Sequence, residues 1–186
     1  MALNPVMQHF MGYPAVEHAT AYFFYAHGNA YTRLITRSKY SDSPETGRYI
    51  SRLVAQELAG SGFFSGIDLL LPVPLSAWRK WSRGYNQSEW IARGVADVTK
   101  LPIDTKSFIR HRHNETQTHM TREERWKNVQ HIFSVRRPER LKGRHILLID
   151  DVVTTGATLM SCVETLAQAV PDLRISVFTL ACARNE

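Results

Sequence analysis

The stretch Ile149-Asp150-Asp151-Val152-Val153-Thr154-Thr155-Gly156-Ala157-Thr158 decides how this chain is read, together with the apolar run HILLI over residues 145–149 that leads into it. Five apolar or buried-type residues read as a short strand in the interior of a sheet, and the polar residues 150–158 read as the turn that follows. Each residue type in that turn has a separate physical use. Asp150 and Asp151 can accept hydrogen bonds from sugar hydroxyls or help hold a magnesium ion. Thr154 to Thr158 begin the next helix, where unpaired backbone N–H groups and the helix dipole favour a phosphate. Gly156 lets that phosphate approach the backbone, and Thr154, Thr155 and Thr158 add hydroxyl donors. Carboxylates and a phosphate cradle lie a few residues apart, which is the layout of a phosphorylated sugar. The plain alternative is that two aspartates and three threonines only cap a helix. A lone Asp-Asp or Thr-Gly would favour that alternative, whereas the full run after a buried strand favours a binding site.

Working outward, Leu159, Cys162, Val163, Leu166 and Val170 form a helical stripe, and residues 174–182 (RISVFTLAC) supply another strand. Residues 67–73 (IDLLLPV) are an apolar run ended by Pro72 and Pro74, as expected of a buried parallel strand entering a loop. A helix starts near Gln87, carries Ile91, Val95 and Val98 on one face and stops before Pro102. Residues 45–59 place Ile50, Leu53, Val54 and Leu58 on another helical face and stop at Gly60 and Gly62. Residues 19–26 (ATAYFFYA) read as an aromatic strand, and Asn29 as the cap of a short helix with Tyr31, Leu34 and Ile35. Residues 107–112 read as a short strand, and much of the basic stretch up to Phe133 as a long surface loop, a length common in lids and binding loops, with plain disorder as the alternative. Strands alternating with helices predict an α/β fold with a mostly parallel sheet, helices on both faces and ligands at the carboxyl ends of the strands.

The chain has 186 residues and neither an internal repeat nor a low-complexity linker, so a single domain over 1–186 is expected. A domain of that length buries roughly 70% of its unfolded surface and needs no disulfide or structural metal. The two cysteines, Cys162 and Cys182, make neither a disulfide framework nor a four-thiolate zinc site, and their scarcity suits a reducing, cytoplasmic setting. Residues 1–16 lack a basic leader and apolar core, and no apolar run exceeds strand length, so neither a signal peptide nor a membrane span is expected. The formal charge is +6, and residues 106–144 alone carry 11 Lys plus Arg against 4 acids. The remaining residues sum to −1. All the excess therefore sits in one segment, suited to a nucleic acid backbone or a small molecule with several phosphates. His111, His113 and His119 lack the fixed spacing and cysteine partners of a zinc cluster, so no zinc is expected.

LLIDDVVTTGATL (147–159) resembles the phosphoribosyl-pyrophosphate (PRPP) binding motif of type I phosphoribosyltransferases. LLPVPLSAWRKWSRGYNQSEWIA (70–92) resembles the segment typical of the ComF family, a PRPP-motif family linked to DNA uptake in competent bacteria. Ser38-Lys39-Tyr40 and Arg110, Thr116, Gln117, Arg125, Asn128 and Phe133 extend the resemblance. It implies a type I phosphoribosyltransferase fold with a long flexible loop. Asp150 and Asp151 would then meet the ribose hydroxyls, and Thr154, Thr155, Gly156, Ala157 and Thr158 the 5′-phosphate. Val73, Pro74, Leu75, Ser76 and Ala77 would form the pyrophosphate loop, with Arg79, Lys80 and Arg83 adding charge. Arg110, Arg112, Arg122, Arg125 and Lys127 would belong to the flexible loop. Gly84, Asn86 and Gln87 fit the family pattern, with a turn and a helix cap at Asn86 as the physical alternative.

The implied cofactor is Mg2+ bound with PRPP. The implied activity is phosphoribosyl transfer to a nitrogen acceptor with release of pyrophosphate. The competing reading is a non-catalytic competence accessory or nucleotide-responsive protein, binding single-stranded DNA or competence proteins, with Trp78, Trp81, Trp90 and Trp126 as stacking candidates. A homodimer is the assembly common among related folds. Two departures qualify the resemblance. Many ComF-family proteins carry a cysteine-rich zinc segment before the transferase domain, and here no cysteine precedes Cys162. Purine-salvage relatives place an acid just before the Thr-Gly, where this chain has Thr154, a poor general base at neutral pH.

Overall fold

The structure, a computed structural model, describes residues 4–25, 44–76, 81, 84–111 and 132–183. Its centre is a four-stranded, wholly parallel sheet of β1 (Val16–Tyr25), β2 (Leu69–Pro72), β5 (His145–Val153) and β6 (Arg174–Ala183), in the order β1-β6-β5-β2. A separate antiparallel pair, β3 (Phe108–Arg110) and β4 (Phe133–Val135), forms a small hairpin neck. The helices are α1 (Pro5–Gln8), α2 (Pro44–Ala59), α3 (Gln87–Thr99) and α4 (Ala157–Ala169).

The alternation of side chains along β5 divides the core into two layers. Ile146 and Leu148 pack with Val6, Phe10, Leu159, Cys162, Val163 and Leu166, which come from the amino-terminal segment and α4. Leu147 and Ile149 face the other way, against Val54, Ala55, Ile91 and Val95 of α2 and α3. All four strand residues are 0% exposed, which is why HILLI shows no polar face in the sequence. The hairpin closes the first layer, Phe108 and Phe133 stacking with ring centroids 5.3 Å apart.

On the second face α2 and α3 cross closely at Gly94, where a Cβ would overlap the Arg48 carbonyl oxygen and the Ser51 hydroxyl. The crossing is held at its rim by a two-pronged Arg48 to Asp97 pair, Nε to Oδ2 and Nη2 to Oδ1 at 2.7 Å each.

The α/β reading and its helices on both faces stand, with three differences in detail. The polar turn expected over 150–158 begins later, because β5 runs on through Val153, paired to β6 as Asp150↔Thr179, Val152↔Ala181 and Val153↔Cys182. The β-branched Val152 and Val153 fit the pleat, and the β6 backbone is there to receive them. Residues 107–112 contract to Phe108–Arg110, joined to a partner strand, β4, that their sequence did not announce. The amino-terminal segment, unread in the sequence, is ordered: Asn4 caps α1 through the Val6 N–H (3.0 Å) and donates to the Ala19 carbonyl (3.1 Å). The helix expected after Asn29, Ser38-Lys39-Tyr40, and most of the basic loop lie outside the described residues.

At the amino end of β5, His145 is buried, its Nε2 2.9 Å from Ser176 Oγ and 3.5 Å from Glu17 Oε2. Burial lowers its pKa below the ordinary 6.5; Glu17 opposes the shift and Arg174 reinforces it. A group with a depressed folded pKa stays neutral in the fold while the unfolded chain takes up the proton. Its contribution is therefore complete above pH 6.5 and lost as pH falls towards the folded pKa. Urea-unfolding free energies measured from pH 8 to pH 5 should decline below about pH 6.5, and His145→Gln should flatten that decline. An unchanged pH profile in the variant would remove His145 as its source.

Candidate functional site

The carboxyl end of the sheet is where the sequence candidates meet. β2 stops at Pro72, paired with Ile149, and the Val73 N–H makes a last bond to the Ile149 carbonyl at 2.8 Å. Val73 is thus the last residue of this chain segment bonded to β5, and the ladder stops before Asp150. Pro74, which has no N–H, cannot continue the ladder. Val73 is buried, and Pro74, Leu75 and Ser76 are half-buried as they leave the sheet. Ala77, Arg79, Lys80 and Arg83 lie outside the described residues.

Asn86 ties this loop to α3. Its Nδ2 donates to the Val73 carbonyl at 3.0 Å, while its Oδ1 accepts from the Ser88 N–H at 3.2 Å as the cap of α3. One buried amide thus serves as helix cap, the physical alternative given for it above, and also as loop anchor, which the sequence did not indicate. Ser88, which sequence reasoning missed, donates its hydroxyl to Asp150 Oδ1 at 2.9 Å. The same oxygen accepts from the Asp151 N–H at 2.9 Å, and Asp151 Oδ1 accepts from the Val152 N–H at 2.7 Å. These bonds hold the Asp150 carboxylate in one orientation at the strand's end. Gln87, at the first position of α3, is also buried, and its Nε2 has no hydrogen-bond partner among the described residues. An unpaired buried amide next to the site is the kind of group that a ligand or water satisfies.

Beyond Val153 the chain turns through Thr154, Thr155 and Gly156 into α4. Gly156 has φ +76°, the left-handed region that only glycine enters freely, and it caps α4 without a side-chain oxygen. The first-turn N–H groups are left for an anion, apart from a long 3.4 Å contact of the Ala157 N–H with Thr155 Oγ1. Asp150 and residues 152–159 line one open concavity of about 220 Å3, including its solvent-facing mouth. Thr154, Thr155, Ala157 and Thr158 are exposed there and Gly156 is buried. The structure thus brings Asp150 and the whole Thr154–Thr158 turn to one surface. Asp151, its side chain alternating along the strand, does not line that concavity.

The flexible-loop candidates divide. Arg110, at the end of β3, holds its guanidinium 5.3 Å from the centroid of the Phe133 ring. Arg112, Arg122, Arg125 and Lys127 lie outside the described residues, as do His113 and His119. His111 is described: its N–H bonds the Ile132 carbonyl at 2.8 Å and its Nε2 lies 2.7 Å from Ser134 Oγ, closing the hairpin neck. Beneath the turn, burial pushes the Cys162 thiol well up from its ordinary pKa; the Asp150 carboxylate adds to this and Arg110 pulls against it. Asp150 and Arg110 thus both make their charge felt at the same point of α4. Of the four tryptophans, Trp81 is 85% exposed, Trp90 lies under the Arg93 guanidinium at 4.7 Å, and Trp78 and Trp126 are outside the described residues.

Asp150 and Asp151 offer hard carboxylate oxygens, and among the described residues no group of three or more His, Cys, Asp or Glu could hold a metal ion. This set fits a Mg2+ that takes most of its octahedral shell from phosphates and water.

The dual role of Asn86 yields a separable pair of variants. Asn86→Ala removes cap and anchor together and should cost about 2 kcal/mol in urea unfolding. Asn86→Asp keeps the cap acceptor but cannot donate to the Val73 carbonyl, so it should retain α3 and recover part of that loss. Equal stabilities for the two variants would show that the cap contributes nothing, and wild-type stability of Asn86→Asp would show that the bond to Val73 contributes nothing.

Comparisons with known proteins agree with this geometry. Residues 44–186 match the phosphoribosyl transferase domain family. The chain is 30% identical over 136 residues to DNA utilization protein YhgH of Salmonella typhi, covering 72% of this chain and 59% of that protein. It is 29% identical over 130 residues to competence protein F of Haemophilus influenzae, covering 68% and 57%. The chain thus spans under two thirds of the length of these curated relatives. A solved structure of the allosteric regulatory enzyme of purine biosynthesis superposes with a TM-score of 0.53 at 21% identity, covering 75% of this chain and 26% of that one, which speaks for the fold alone. With the sheet order, the glycine turn and the family match in agreement, the chain belongs to the phosphoribosyl transferase domain family as a ComF-like member of it.

Proposed function

We propose that this protein binds PRPP together with Mg2+ and transfers the phosphoribosyl group to a nitrogen acceptor, releasing pyrophosphate. The observation that carries the reading is the shared concavity of Asp150 and the Thr154–Thr158 turn at the end of the central strand. In it the turn's N–H groups and hydroxyls take the 5′-phosphate. Asp150, held by Ser88, accepts hydrogen bonds from the ribose hydroxyls and fixes the ring, and Asp151, outside the concavity, meets a hydroxyl only where the ribose reaches past its rim. Residues 73–76, anchored by Asn86 and leaving the sheet where β5 runs on to Asp150, would take the pyrophosphate group.

In the reaction the bond from the anomeric carbon to the pyrophosphate oxygen breaks, its electron pair leaving with pyrophosphate, and the acceptor nitrogen forms the new bond. Bound Mg2+ supplies charge neutralisation to the departing pyrophosphate. Thr154 stands where a carboxylate would serve an acceptor proton, and its hydroxyl is a weak base near pH 7. The favoured acceptor therefore already carries an ionised nitrogen or loses its proton to water. The positive carbon that develops in the ring is stabilised by the fixed carboxylates, which need no reorganisation as charge appears.

Calorimetric titration of PRPP with and without Mg2+ tests binding. Magnesium-dependent binding is expected, with a loss on the order of a hundredfold in the Asp150→Asn/Asp151→Asn variant, as for two lost charge-assisted contacts. Folded wild-type protein that takes up no PRPP would overturn the reading. Exchange of labelled pyrophosphate into PRPP across a panel of nitrogen acceptors then reports turnover.

A second reading is a DNA-utilization or competence accessory that binds single-stranded DNA, as the relatives' names suggest for them. Specific observations favour it. Arg136, Arg137, Lys142 and Arg144 are exposed and make no ion pair with any described residue, and Trp81 presents an open ring for base stacking. In the sequence they follow Arg122, Arg125 and Lys127 of the same basic segment, which lie outside the described residues. Labelled oligonucleotide anisotropy should then show a logarithmic salt slope of about −0.7 per phosphate contact, reduced when these side chains lose their charge. Binding that is absent or indifferent to salt would remove this reading.

A further inference from the structure

Residues 4–16 lie ahead of the matched family region and form a strap against α4. Asn4 bonds the Ala19 carbonyl, Val6 and Phe10 are 0% and 1% exposed in the α4 layer, and the Tyr13 hydroxyl donates to Glu164 Oε1 at 2.7 Å. The Ala15 carbonyl accepts from the Ile175 N–H at 2.8 Å. His9 sits between these anchors, one residue before Phe10. A Cβ on Gly156 would lie 3.0 Å from both Cγ and Nδ1 of His9 and 3.2 Å from its Cβ. The imidazole therefore packs closely beside Gly156, and a methyl group there would press on it unless the ring shifted by a few tenths of an ångström.

We propose that His9 is a positioning residue for the 5′-phosphate: its ring is the wall that holds the Gly156 turn in place and so fixes where the N–H groups of the cradle point. The proposal rests on the phosphoribosyl reading above. Glycine at φ +76° has more conformational freedom than any other residue, and the cap carries no side-chain bond to restrain it. Restraint has to come from packing, and the three heavy atoms nearest the position a Gly156 side chain would take all belong to His9. A turn held in its bound shape before the ligand arrives loses less freedom on binding, which appears directly as affinity. Gly156 thus answers two demands, a left-handed backbone and room for a ring from 147 residues earlier in the chain.

Ribose 5-phosphate is the probe, titrated by calorimetry into wild type, His9→Ala, His9→Phe, Gly156→Ala and the His9→Ala/Gly156→Ala double variant, each checked for an intact thermal transition. His9→Ala should weaken binding on the order of tenfold. His9→Phe, which keeps a flat ring, should restore most of it. Gly156→Ala should cost less in the His9→Ala background than in wild type, because the clash with the ring is gone and only the backbone strain remains. A folded His9→Ala protein with wild-type affinity, failure of His9→Phe to recover binding, or strictly additive losses would overturn the proposal. Wild type that binds no ribose 5-phosphate would overturn the phosphoribosyl reading itself, and this proposal with it.

Discussion

The candidate site depends on β2 ending four residues before β5 does. Pro72 pairs with Ile149 and is the last paired residue of β2, while β5 continues to Val153 with β6 alone beside it. Along residues 150–153 the central strand therefore has a neighbour on one side and an opening on the other. A ligand needs that opening, and a parallel sheet supplies it wherever adjacent chains part at their carboxyl ends. Proline at 72 and 74 is a local reason for the parting, since an extended ladder needs N–H groups that proline lacks.

Around that opening, few side chains perform several duties. Asn86 caps α3 and holds the departing loop, and Ser88, two residues on, orients Asp150. The start of α3 thus communicates with both the loop after β2 and the end of β5. On the other face His9 presses on the turn that starts α4. The cradle is consequently supported from both layers of the core, so that variants of buried residues distant from the ligand are expected to change affinity as well as stability.

Much of this was legible in the order of residues. HILLI had to be buried on both faces because it offers no polar alternation, and its position before an Asp-Asp and Thr-Thr-Gly run placed polar chemistry at a strand end. Helices α2, α3 and α4 followed from apolar spacing, and their bounds differ little from those expected. Ser88 was less legible, although it stands within a recognisable segment: a serine after a capping asparagine reads as an ordinary helix-start residue, and only the fold brings Asp150 within 2.9 Å of it. His9 carried no signal. A short helix of one turn has too few residues for periodicity to show, and the partner that gives it meaning is far along the chain.

The sequence by itself determined the α/β alternation, the buried central strand and the polar, glycine-containing turn that follows it, because each depends on local preference: apolar runs, helical spacing and turn-forming residues. Tertiary structure decided which of the two aspartates lines the concavity, what holds its carboxylate, and which wall supports Gly156. Those outcomes depend on strand register and layer packing, in which residues 62 and 147 positions apart meet, and no pairwise distance of that kind is written in local composition.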